Sequence, residues 1–278
     1  MDRDEPGRRE RRDGWAAACD VEVTERDAAI LYAVGRCRVL RTRDIARLFF
    51  GSRATANDRL RKLFVAGYVR CHVRALAGDN LYTLIEKGKQ LVLAREDVEP
   101  RELPIPRALP ARLDHLLGIN EMRVLFTLAT RGESAQFRLV SFRPEWELAA
   151  ERHAGLLGVL PDGIIELEDA RGARHVSALE VDLGTEAPTV VAKKVARYET
   201  YARAGLPLYG VDIRTVLVAA RGERRVRSLA RAFVGVANAV TVRLGDALAL
   251  SPSDLFAAFR RAGSLAAGSA ATRSSSHG

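Results

Sequence analysis

The chain has 278 residues, 47% of them hydrophobic and 28% charged, a balance that suits soluble domains and excludes extended disorder. Arg, Gly or Asp interrupts every apolar run well short of the roughly 18 residues a membrane crossing needs, so no transmembrane helix is expected. Lys and Arg total 44 against 35 Asp and Glu, and the surplus of nine positive charges suits a polyanionic partner.

The opening Met1 to Asp13, MDRDEPGRRERRD, has no apolar stretch behind its charges. It does not read as a secretory signal, and a cytoplasmic protein is expected. Residues 1–20 are charged and turn-rich, residues 262–278 are small, polar and aperiodic, and both ends are expected to be disordered. Cys19, Cys37 and Cys71 are odd in number and form no CxxC, which points to buried fillers rather than disulfides or a zinc site. Residues 96–110, EDVEPRELPIPRALP, hold four prolines that disfavour helix. They read as a linker between an N-terminal domain, 21–95, and a C-terminal domain, 111–261.

The N-terminal domain reads helix, helix, helix, hairpin, helix. Thr24 opens the first helix with Asp27 three residues on, a capping-box pattern with Asp in place of Glu, and Ile30, Leu31 and Val34 form its apolar stripe. Thr42 is expected to cap the second, with Ile45, Leu48 and Phe49 on one face. Ser52 is expected to cap the third, RATANDRLRKLFVAG, with Ala56, Leu60, Leu63 and Phe64 inward and Gly67 at its stop. YVRCHVRA and NLYTLI then form a hairpin with Gly78 and Asp79 at the tip. Three short helices followed by a hairpin make a winged helix-turn-helix.

Charge supports that reading. Between Arg36 and Arg74 there are eleven basic residues against Asp44 and Asp58, and eleven minus two is the whole net surplus of nine. Such concentration creates a field that attracts phosphates and releases their counterions. On the third helix Thr55, Asn57, Asp58, Arg61 and Lys62 fall outside the apolar stripe, facing a major groove, and Arg53 opens the same helix. Arg43 on the second helix and Arg70 and Arg74 on the first wing strand add backbone contacts, which position without specifying sequence. The bland alternative is a solvated helix face on an Arg-rich chain.

In the C-terminal domain ARLDHLLGINEMRVLFTLAT is a largely buried helix that points the Glu121 carboxylate inward, where it needs a partner. The strands QFRLVSF, LPDGIIELE and HVSALEVDLG follow. Next come the helix APTVVAKKVARYETYARAG, the strand RTVLVAA, the helix ERRVRSLARAFVGVA and the strand AVTVRL. The order α-β-β-β-α-β-α-β is a mixed sheet flanked by helices, an α/β or α+β class.

Asp162 sits at the turn entering the second strand, and Glu180 and Asp182 share one face of the third, since side chains two apart in a strand point the same way. Clustered carboxylates repel unless a hard cation binds between them, and Mg²⁺ is the natural one. Such an ion polarises a phosphodiester and activates water. Lys193 or Lys194 at the start of the next helix can stabilise developing negative charge, and Lys194, Tyr198 and Tyr201 share a helix face. Glu121, Glu147 and Glu186 are second-rank acids. Against this stands a simpler account, in which Asp162-Gly163 is only a turn and Glu180 and Asp182 pair with arginines. His72, His115, His153 and His175 form no HExxH, and no GxGxxG, P-loop or GxSxG string occurs, which argues against zinc, nucleotide or serine chemistry.

These motifs carry a resemblance. With its winged helix, L-D-H-L-x-x-x-N at Leu113 to Asn120, P-D-G at Pro161 to Gly163, and L-E-V-D-x-G-T-E at Leu179 to Glu186 followed by Lys194 and Tyr198, the chain resembles the replication-relaxation family over Thr24 to Leu250. Its C-terminal half also resembles the PD-(D/E)xK nuclease superfamily, whose restriction-endonuclease-like core runs α-β-β-β-α-β. That resemblance implies catalytic Asp162, Glu180, Asp182 and Lys194, with Mg²⁺ on Asp162, Glu180 and Asp182. The sequence departs at position 182, where Asp182 replaces the usual lysine and passes its role to Lys193 or Lys194. The function implied is a protein of plasmid or mobile-element replication that binds double-stranded DNA and cuts or nicks it. Replication or mobilisation proteins are its expected partners. The alternative is a winged-helix regulator whose degenerate nuclease-like domain serves binding or homodimerisation.

Overall fold

A computed structural model describes residues 21–73, 78–132, 135–151, 158–234, 239–248 and 251–261. Both tails, Cys19, Arg74 and His153 lie outside these residues. No described helix is long and apolar enough to cross a membrane. The chain divides into two units, Met1–Leu117 and Gly118–Gly278.

In the first unit the order is α1 (Glu25–Cys37), β1 (Leu40–Arg41), α2 (Thr42–Phe49), α3 (Arg53–Val65), β2 (Val69–His72), β3 (Leu81–Leu84) and α4 (Glu86–Leu93). Thr24 caps α1 with the expected capping box, its hydroxyl accepting from the Asp27 amide while Asp27 accepts from the Thr24 amide at 2.8 Å. Ser52 caps α3 by accepting from the Thr55 amide. Thr42 does not cap α2. Arg41 holds that position, its guanidinium clasping Asp44 at 2.7 Å, while Thr42 lends its amide to the Asn80 carbonyl at 3.0 Å. Ala56, Leu60 and Leu63 of α3 are buried, but Phe64 is 41% exposed, because it falls at the margin of the stripe. β3 pairs antiparallel with β2 on one side and with β1 on the other.

The proline-rich segment that reads as a linker packs on the first unit. Pro100–Glu102 forms a 3-10 turn. Leu103 beyond it is fully buried among Ile30, Leu31, Val34 and Leu84. It packs so closely on Gly35 that a Cβ there would lie 2.6 Å from a Leu103 methyl. Burial of one leucine ties the segment to this unit's core.

The second unit takes in most of α5 (Leu113–Ala129), then β4 (Phe137–Pro144), α6 (Glu145–Leu148), β5 (Gly163–Asp169), β6 (Arg174–Asp182), α7 (Pro188–Ala204), β7 (Thr215–Ala220), α8 (Glu223–Ala232), β8 (Thr241–Asp246) and α9 (Pro252–Arg261). Its sheet order is β4-β5-β6-β7-β8, antiparallel through β6 and parallel from β6 to β8. The protein is therefore a mixed α+β structure. Strand alternation divides the core into two layers. Ile164, Ala178, Val216 and Val218 face Val191, Val195 and Tyr198 of α7 and Leu229 of α8. Ile165, Leu179, Val181 and Leu217 face Ile119, Met122 and Phe126 of α5 and Leu255 and Phe259 of α9. α7 ends at Gly205, whose φ of 66° is left-handed.

Candidate functional site

Register brings the acids together. Gly163 pairs with Leu179 across β5 and β6, and the Asp162 amide donates to the Leu179 carbonyl at 3.0 Å, so one step further Asp162 opposes Glu180. Side chains directly opposed in an antiparallel pair start from Cβ atoms about 4.5–5.5 Å apart. On the other edge Pro144 pairs with Gly163, and the Glu145 amide donates to the Asp162 carbonyl at 2.9 Å. Glu145 just past the end of β4, Asp162 just before β5 and Glu180 on β6 thus form a row across one end of three neighbouring strands. Carboxylate oxygens of Glu145 and Asp162 lie within 4.8 Å of one another.

Each acid is held in place. Asp162 Oδ2 accepts from the Val181 amide at 2.7 Å. Glu180 Oε2 accepts from Lys194 Nζ at 2.5 Å, and its Oε1 accepts from the Tyr198 hydroxyl. Lys194 Nζ also lies 4.0 Å from Asp162 Oδ1. Lys194 and Tyr198 reach the same carboxylate because they are one helical turn apart on α7. Tyr201 packs at the border of the core.

Burial and charge set the proton affinities. Asp162 and Glu180 are 5% and 4% exposed. Burial, followed by repulsion from Asp162, pushes the Glu180 carboxyl up to about 8 against the opposing pull of Lys194 and Tyr198. Burial opposes the charge on Lys194, but Glu180 and Asp162 outweigh it and hold the ammonium above its usual range. The Tyr198 phenol is held well above its ordinary value by burial and by Glu180.

Asp182 does not join the row. It lies on the same face of β6, but Arg225 of α8 grips both its oxygens, Nε to Oδ1 at 2.8 Å and Nη2 to Oδ2 at 2.7 Å. Gly184 adds an amide at 2.7 Å, and Arg225 also donates to the Glu186 carbonyl. This bidentate pairing ties Asp182 to α8, the arginine pairing that the simpler account expected of Glu180 and Asp182. Lys193 is exposed. Glu121 is buried as expected, with Arg221 at 3.8 Å. Glu145 was missed by the sequence reading, which favoured Glu147. Only the strand register identifies it.

The fit to a divalent cation rests on the donor set. Two buried carboxylates and a third beside them are hard oxygen donors, and the Lys194 ammonium already sits between two of them. Magnesium is ordinarily bound by one or two carboxylates together with water and phosphate oxygens, and carboxylates are the donor type that Glu145, Asp162 and Glu180 could supply.

In the first unit the expected DNA-facing side chains fall into two groups. Thr55, Asn57, Arg61 and Lys62 on α3 and Arg70 on β2 are exposed. Arg43 and Arg53 both turn to Asp79, at 3.6 and 2.6 Å. Other arginines of the basic segment serve the fold: Arg36 pairs with Glu102, Arg41 with Asp44, and Arg59 with Asp27 and the Glu22 carbonyl. The field available to a partner is smaller than the sequence count implied. Cys37 is buried, whereas Cys71 is only partly so, with its thiol pushed up by burial.

Comparison with curated proteins and with solved structures finds no match. The replication-relaxation family model matches residues 31–211, spanning α1 through the acid row and α7. On that match, which covers more than half of its length, the chain belongs to the replication-relaxation family.

Proposed function

We propose that this protein acts in the replication of a plasmid or mobile element, docking on duplex DNA through a winged helix and cleaving or nicking it at the acid row. The observation that carries the cleavage reading is the pairing of Asp162 with Glu180 on adjacent strands, with Lys194 Nζ between them. DNA docking is supported by the order of α1, α2, α3 and the β2–β3 pair, and by the exposed Thr55, Asn57, Arg61 and Lys62 on α3.

Asp162 and Glu180, with Glu145 beside Asp162, would hold Mg²⁺, which when bound polarises a phosphodiester and lowers the pKa of water. Lys194 replaces the lysine that the superfamily pattern places at position 182. Its ammonium, held above its usual range, stays charged and stabilises negative charge on a phosphate oxygen. Tyr198 orients Glu180 from the core side. The Asp182–Arg225 pair pins α8 beside α7.

A second reading, a nuclease-like domain that only binds, draws on the fact that both Glu180 oxygens already have protein donors. Incubation with supercoiled plasmid and Mg²⁺ or Mn²⁺ separates the two. Cleavage that disappears in Asp162→Ala and Glu180→Ala supports the site, and cleavage undiminished in both rejects it. Plasmid bound but left intact by the wild type selects the binding domain.

A further inference from the structure

Helix α8 turns Val226, Leu229 and Ala230 toward the core it shares with α7. Its opposite side carries Arg224, Arg227 and Arg231, all exposed. At 100° per residue these three occupy about 60° of arc. A solvated helix face ordinarily mixes signs, with acids one turn from bases. Between residues 221 and 234 there are five arginines and one acid, Glu223, which reaches Arg227 at 3.4 Å. Arg224 and Arg227 are three apart and Arg227 and Arg231 four apart, so like charges adjoin along the row. A polyanion laid along it reverses that repulsion.

Position decides which polyanion. Arg225, on the neighbouring part of α8, grips Asp182, which lies two residues beyond Glu180 on the same face of β6. Two residues of strand span roughly 7 Å, about one phosphate step of a DNA strand. The first turn of α8 is thereby tied to the end of β6 that carries Glu180.

We infer that the Arg224, Arg227 and Arg231 face of α8 is a docking strip for the phosphate backbone of duplex DNA, seating it beside Glu145, Asp162 and Glu180. The seating beside the acid row rests on the cleavage reading above; binding along the strip does not. Guanidinium groups suit this task because their planar donors match phosphate oxygens.

The test is the salt dependence of binding of the full chain to a random-sequence duplex, followed by fluorescence anisotropy. Each phosphate contact contributes about 0.9 to the slope of log affinity against log salt, so Arg224→Gln with Arg227→Gln and Arg231→Gln lowers the slope by about 2.7. The same positions changed to Lys keep the charge and restore most of it. Thermal unfolding of the Gln variant serves as the control; if its midpoint falls, the single Arg224→Gln variant replaces it, with a drop of about 0.9 expected. A slope unchanged by loss of all three arginines overturns the strip while leaving the acid row standing. If the Gln variant loses the slope and the wild type still cuts no plasmid, the strip stands and the cleavage reading fails. Absence of salt-dependent binding in the wild type overturns both.

Discussion

Replacing Lys194 with Met removes the ammonium that lies between Asp162 and Glu180 and leaves two buried carboxylates facing each other. Breaking a buried ion pair costs about 3–5 kcal/mol. The Lys194 side chain is 31% exposed, so water screens part of the loss and about 2–3 kcal/mol is the expected cost. For a protein of this size that is a fall of roughly 4–12 °C in the second unit's unfolding midpoint. The pH dependence gives the sign. In the wild type the Glu180 carboxyl is already raised to about 8, so its stabilising contribution is complete below the unfolded value and fades as pH rises through about 8. Without Lys194 the carboxyl is raised further, so the titration-linked penalty is near zero while Glu180 is protonated in both folded proteins and grows only as pH rises through and above about 8. Added Mg²⁺ should return part of the lost midpoint at high pH, because the ion takes over the missing positive charge. Circular-dichroism melts at acid and alkaline pH, with and without Mg²⁺, make the comparison. An unchanged midpoint, or a loss of equal size at both pH values, would refute the reasoning.

Other expectations follow from the same contacts. Tyr198→Phe removes a donor from Glu180, so its carboxyl ionises at still higher pH and the pH at which plasmid cleavage sets in should move up; an unmoved profile contradicts the hydrogen bond's role in ionisation. Asp79→Asn releases Arg43 and Arg53, and the salt slope of DNA binding should rise by up to about 1.8; a fall would mean that Asp79 preorganises both side chains for DNA. Leu103→Ala should cost the first unit about 2–5 kcal/mol in urea unfolding, whereas a free linker would lose almost nothing. Asp27→Asn should lower first-unit stability at neutral pH, with the difference vanishing as acid protonates the wild-type Asp27. That carboxyl is held below its ordinary value because Arg59 and Thr24 outweigh its burial, so its contribution persists above the unfolded value and is lost on acidification.

What the sequence disclosed was mostly local. Ser52 and Thr24 cap helices because a hydroxyl three residues before a free amide suffices, and Gly205 stops α7 because it accepts a left-handed φ. Strand geometry, in which side chains two apart point the same way, placed Glu180 and Asp182 on one face of β6. What escaped depended on distant partners. Asp182 meets an arginine 43 residues away, and Glu145 enters the row only through the β4–β5 register, which a bulge between Leu139 and Ser141 shifts. The two-residue β1 has no period of its own and exists through pairing with β3. Helix α9 was legible but overlooked: Ser251 precedes Pro252, and Asp254 receives the Ser251 hydroxyl at 2.5 Å.

Titration of Mn²⁺ into the wild type and into the Asp162→Asn, Glu180→Gln and Asp182→Asn variants, followed by the free ion's paramagnetic resonance, tests the acid row most directly. One ion should bind the wild type, with binding lost or weakened at least ten-fold in the first two variants and kept in the third, about 1.4 kcal/mol or more per lost ligand. Equal binding by all four proteins, or none by the wild type, would contradict the assignment of Asp162 and Glu180 as its ligands.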